Sequence, residues 1–333
     1  MILAGIFFAT LSGVCNGLFT TPMKLESRWK WENLWLGFIL VSCIAMPIAI
    51  VGWTTPAWRH LLVSAPRNAL AAALGFGFAW GFGAIAFGRS VDCLGVSISN
   101  SLVIGLSSAL GSLVPLILGG TFHFSTKVMT LFAGILAFLL GVTLCGAAGL
   151  LRDREALGPT ARPQTQGYIF AIAAGVMSAI FNIGFTLALP IANTGLRAGQ
   201  SQFGATNCIW LLMLGAGAIP NVAYCLFLMR KNGTAELMIS HPGVRGWPLS
   251  ASMGLLWGGS IFLYGAAVPR LGDIGPSIGW PLSLAVGLLV ANLMGLLLGE
   301  WKSAPIPAIV RMWIGLLALL IAAALCAAST KMT

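Results

Sequence analysis

Uncharged, largely apolar runs alternate with short charged stretches along the whole chain. The runs cover residues 2–23, 33–58, 68–88, 93–126, 128–151, 163–196, 198–229, 246–269, 274–299 and 312–330. At ~1.5 Å per residue, each is long enough as a helix to cross ~30 Å of hydrocarbon. The pattern therefore predicts an all-α polytopic membrane protein with ten transmembrane helices. The run at 163–196 ends in PIANTG (Pro190 to Gly195), a turn composition, so its helix is expected to stop short of that segment. Between the first two runs, PMKLESRWKWENLW (Pro22 to Trp35) packs charge and aromatics together. Trp29, Trp31 and Trp35 read there as headgroup-level rings, with Lys24, Arg28 and Lys30 in water or on phosphates.

Composition narrows the class further, because 58% hydrophobic and 8% charged residues in 333 exclude a soluble domain of this length. The net charge of +10 lies in short loops, where it sets topology, so no nucleic-acid partner is expected. Loops after the odd-numbered runs, together with their flanks, hold twelve of the 18 Lys and Arg residues. The positive-inside rule then places both termini outside the cytoplasm, and the missing basic n-region argues against a cleavable signal. The 7 cysteines are odd in number, sit mostly within runs and lack CxxC spacing, so they read as small packing residues. The 42 glycines, mostly within runs, predict close helix contacts.

The chain also repeats itself. GIFFATLSGVCNGLF from Gly5 matches GYIFAIAAGVMSAIF from Gly167, and W-G-x5-[FY]-G-x5-L-G is written twice, from Trp80 and from Trp257. Gly134, Ala137, Leu144 and Cys145 correspond to Gly315, Ala318, Leu325 and Cys326. Two five-helix repeats are expected, residues 1–151 and 167–333, joined by a cytoplasmic linker at 152–166. Five is odd, so the second repeat enters the membrane from the opposite side; inverted repeats of this kind are a transporter architecture. Pro47, Pro115, Pro220 and Pro281 lie within runs, where they allow hinging.

These stretches resemble the L-rhamnose–proton symporter family of the drug/metabolite transporter superfamily. The likeness is carried by the proline, lysine and W-x-W-E-x-x-W of the first loop, by Trp80 through Leu94-Gly95-Val96-Ser97, by GAIPNVAYC (Gly217 to Cys225) and by Glu300-Trp301. The resemblance implies a ten-helix fold with a central cavity and inward movement of a sugar with a proton, in a bacterial-type inner membrane. LGDIGPSIGWPLS (Leu271 to Ser283) departs from the rhamnose carriers and leaves the sugar open. An exporter or exchanger of another small metabolite in the superfamily is the alternative.

None of the 8 acidic residues falls at the middle of a run, which disfavours a lipophilic cation as substrate. A neutral polyol needs amides, hydroxyls and flat rings instead. The substrate candidates are Asn16, Trp80, Asn100, Asn182, Trp257 and Trp280; Asn207, Trp210, Tyr264 and Asn292 are further groups of the same kind. For Asn16 and Asn182 the alternative is an interhelical hydrogen bond, and for the tryptophans it is packing. Lys24, Glu32 and Asp273 are candidates for proton coupling or gating, Glu32 foremost because the resembling motif contains it. The competing expectation pairs Glu32 with Lys24, Arg28 or Lys30, and Glu300 with Lys302 or Arg311. No HExxH, GxSxG or paired intramembrane carboxylates occur, so neither an enzyme nor a cofactor is expected.

Overall fold

The computed structural model describes residues 1–26, 28–94, 96–118, 125–157, 165–240 and 246–330. Its regular elements are α1 (Ile2–Leu18), α2 (Thr21–Leu25), α3 (Trp31–Ile39), α4 (Met46–Thr54), α5 (Trp58–Ser64), α6 (Arg67–Leu94), α7 (Val96–Leu118), α8 (Thr126–Leu157), α9 (Thr165–Arg197), α10 (Gln202–Asn232), α11 (Gly246–Ala267), α12 (Gly275–Leu297) and α13 (Ile306–Ser329). A π-helical stretch, Leu40–Ala45, joins α3 to α4 ahead of Pro47, whose ring could not follow an unbroken α-helix. Among the described residues 10 helical segments are long and apolar enough to cross a membrane, and no strand forms.

Among the boundaries that differ from expectation, two show a clear physical cause. The PIANTG segment is helical, and α9 continues to Arg197 with Pro190 inside it. Ile191 and Ala192 are fully buried, and that packing outweighs the local turn preference. Helix α13 begins at Ile306 rather than after Arg311, because the exposed Arg311 is long enough to keep its charge in water from within a helix. At the other end of α10, Gly233 takes φ +67° and returns its N–H to the Met229 carbonyl, a left-handed stop.

By packing, the chain divides into two units. The first comprises Met1–Gly17, Gly83–Asn182 and Ala267–Thr333; the second comprises Leu18–Phe82 and Ile183–Ala266. In the first unit α8 and α13 pack extensively along one another. A Cβ on Gly134 would lie 3.0 Å from Cys326 Sγ, and one on Gly315 would lie 2.7 Å from Cys145 Sγ. Further along, a Cβ on Gly141 would lie 2.9 Å from the Gly315 carbonyl, so the partners run in opposite directions and the helices are antiparallel. Helix α1 meets α12 through the buried Ser12–Ser283 hydroxyl pair (2.9 Å), and α7 meets α9 through Ser107 Oγ donating to Ser178 Oγ (3.0 Å).

The α8–α13 seam yields a test of the fold. Gly315→Leu is expected to lower the thermal unfolding midpoint in detergent, by about 1–3 kcal/mol of overpacking. Ile314→Val, one residue away on the exposed side, should leave the midpoint unchanged. Equal effects would contradict the seam.

In the second unit α10 is the central element, packed against α3, the π-helical stretch and α4. Gly81 brings α6 onto α10, where a Cβ would lie 2.6 Å from the Gly217 carbonyl. Gly258 brings α11 onto the π-helical stretch and Met46, where one would lie 3.3 Å from the Ser42 Cα.

Candidate functional site

The two Trp-Gly motifs meet. Trp80 of α6 and Trp257 of α11 stack with ring centroids 5.2 Å apart and planes inclined by 12°. Each ring is placed by its surroundings: Gly217 of α10 leaves room for Trp80, and Phe38 of α3 packs edge-on to Trp257 at 5.6 Å. Both rings are half-buried. The aromatic series continues from Phe38 to Trp35 (4.8 Å) and from Trp35 to Trp31 (5.1 Å, stacked), one turn apart on α3.

Polar groups hold these rings from behind. Asn221 of α10 is fully buried; its Oδ1 accepts from Trp35 Nε1 (3.0 Å), while its Nδ2 donates to the carbonyls of Gly217 (2.9 Å) and Gly81 (3.2 Å). Trp29 and Trp35 therefore face the protein interior rather than the surroundings. Both are buried, and Trp29 Nε1 donates to the Leu237 carbonyl (3.1 Å), because an indole N–H inside a protein needs an acceptor. Asn221 was not singled out from the sequence, and its only signal was its place in GAIPNVAYC.

Glu32 lies at the start of α3 and is only 5% exposed. Its Oε1 accepts from Asn232 Nδ2 and Thr234 Oγ1, both at 2.9 Å. Neighbouring Asn33 donates to the Thr234 carbonyl (2.9 Å), so α3 grips the segment that follows α10. Among the described residues Glu32 forms no ion pair. In place of the described candidates Arg28 and Lys30, two neutral donors hold it, at sequence separations of 200 and 202. Lys24 belongs to α2, but its side chain lies outside the described residues, as does that of Asn100 in α7.

The remaining candidates belong to the first unit. Asn182 is buried in α9 and donates to the carbonyls of Gly111 (2.7 Å) and Pro276 (3.3 Å). The first of these is the carbonyl that Pro115, lacking an N–H, leaves open one turn back in α7. Trp280 of α12 is buried and donates from Nε1 to the Ser107 carbonyl (3.1 Å). Asn16 is half-buried beside Gly287, with no hydrogen-bond partner among the described residues. Asp273 is exposed in the turn before α12. Glu300 pairs with Arg152 Nη1 (3.4 Å) instead of Lys302 or Arg311, and the Arg152 guanidinium also covers the Trp301 ring at 4.9 Å. That ring fixes the planar cation within reach of Glu300, an advantage neither sequence-near cation has.

Comparison with known proteins bears on this geometry. A solved structure described only as the crystal structure of a protein matches with a TM-score of 0.57 and 16% identity, covering 97% of this chain and 94% of that one. That likeness concerns the fold. The L-rhamnose-proton symporters of Shigella boydii serotype 18 (strain CDC 3083-94 / BS512) and Escherichia coli (strain 55989 / EAEC) are each 27% identical over 314 residues, 91% of either chain. The family described as L-rhamnose-proton symport protein (RhaT) matches residues 1–331, and the chain belongs to that family.

Proposed function

We propose that this protein imports a neutral sugar, L-rhamnose or a related monosaccharide, together with a proton, across a bacterial inner membrane. The family match over residues 1–331 carries this reading. Alternating access by two inverted repeats, 1–151 and 167–333 about the 152–166 linker, with both termini outside the cytoplasm, is the architecture we assign to it. Reciprocal contacts support the repeats. Trp80 stacks on its own repeat counterpart Trp257, and the Gly134–Cys326 approach is mirrored by Gly315–Cys145. A residue touching its own counterpart is what a pseudo-twofold axis requires.

Within this reading, Trp80 and Trp257 of the second unit supply ring surface for the C–H side of a sugar. In the first unit, taken by itself, Asn182 and Trp280 brace α7 against α9 and α12, and Asn16 and Asn100 are the substrate amides we assign there. Glu32 carries the proton, while Lys24 and Asp273 act in gating.

Purified protein in liposomes loaded with a pH-sensitive dye tests the proposal. L-Rhamnose or a close relative added outside is expected to acidify the lumen. Labelled-sugar counterflow without acidification would remove the proton, and silence in both assays would overturn the sugar.

A further inference from the structure

Helix α10 carries Asn207, Trp210, Leu214, Gly217, Asn221 and Tyr224 at alternating intervals of three and four, which places them along one face. The two asparagines on this face, ~21 Å apart along the axis, are treated oppositely. Asn221 has its oxygen and its nitrogen paired. Asn207 has 0% exposure, and neither its Oδ1 nor its Nδ2 has a partner among the described residues. An amide offers two donors and acceptor lone pairs, and leaving all of them unmade inside a low-dielectric interior is strongly unfavourable. A protein with no use for that amide would be more stable with leucine there.

The surroundings say what kind of group fits. One turn beyond Asn207, Trp210 stacks on Phe185 at 4.3 Å with parallel planes (1°), and Tyr264 closes the cluster at 5.7 Å from Phe185 and 6.2 Å from Trp210. All three are fully buried. One turn before it, Gly204 leaves space for the Thr54 carbonyl, which would lie 2.8 Å from a Cβ there. The Trp210 and Phe185 faces are turned to each other, so this wall is not a stacking platform. The amide is the recognising group. It can donate to one hydroxyl and accept from its neighbour, the pattern of adjacent hydroxyls on a pyranose, and the amide itself is neutral.

We infer that Asn207 is a specificity-determining contact for the transported sugar, reading adjacent hydroxyls through its amide at a separate point of its path, ~15 Å along α10 from Gly217, where Trp80 packs. This rests on the sugar-transport reading above. The test is labelled-sugar counterflow in proteoliposomes with wild type and Asn207→Leu, competed by L-rhamnose and its monodeoxy analogues. Asn207→Leu should raise the KM for L-rhamnose by roughly tenfold, the scale of one or two hydrogen bonds, with maximal rate little changed. The deoxy analogue that wild type discriminates against should bind the variant no worse than L-rhamnose does. If every analogue keeps the same penalty in the variant, or if the variant melts higher with unchanged KM, Asn207 does not touch the sugar and this inference falls alone. If Asn207→Leu does not assemble, Asn207→Thr, which keeps one hydroxyl, is read by the same criteria. Wild type that exchanges no sugar overturns both the function and this contact.

Discussion

Trp80→Ala is expected to lower L-rhamnose counterflow, measured as kcat/KM, by about tenfold or more, equivalent to ~1.4 kcal/mol or above. Trp257→Ala should do the same, and the double variant should be little worse than either single one. The reason is that the rings form one stacked unit, 5.2 Å between centroids, and removing one leaves the other without its support. Trp53, 87% exposed on α4, provides the control, and Trp53→Ala should leave counterflow intact. Trp80→Phe separates binding from packing. A smaller ring keeps much of the helix contact but less flat surface, so the KM should remain raised while the melting midpoint recovers. Full recovery of both would make the tryptophans wedges between helices and nothing more.

Glu32→Gln is expected to abolish sugar-driven acidification while sugar counterflow persists. The carboxylate is buried, its oxygen is held by Asn232 and Thr234, and the same corner ties Asn33 to the Thr234 carbonyl. Gaining or losing a proton at Glu32 therefore changes the hold of α3 on the segment after α10, which is how a proton could be linked to movement of that segment. Glutamine keeps an acceptor oxygen and the volume, so the fold should tolerate it; alanine would leave the buried Thr234 hydroxyl without its acceptor and destabilise by about 1–3 kcal/mol. Asp273→Gln, at an exposed turn, should impair acidification less. If Glu32→Gln and Asp273→Gln together leave acidification unchanged, neither carries the coupling proton.

Much of the scaffold could be read from residue order. Ten charge-free runs became ten candidate spans, and the errors fell where the charge-free rule is weakest: at Arg311, which a helix tolerates by extending its side chain, and at Pro190 to Gly195, where burial of Ile191 and Ala192 overrode a turn composition. Ion pairing was harder. Sequence proximity favoured Lys302 for Glu300, whereas the partner is Arg152, 148 positions away and fixed on the Trp301 ring. The doubled Trp-Gly motif was legible as a repeat, but nothing in its spacing says that the two rings face one another.

By itself the sequence determined the class, the number of spans and the internal repetition. Hydrocarbon thickness and the need to satisfy backbone hydrogen bonds within each span act on contiguous residues, so their signature is local. The tertiary structure alone decided which buried amides are satisfied. Asn182 caps a carbonyl freed by Pro115 and Asn221 is shared among Trp35, Gly81 and Gly217, while Asn207, on the same helix face as Asn221, meets aromatic walls. Hydrogen-bond satisfaction depends on groups brought together from distant parts of the chain, and residue order does not carry that information.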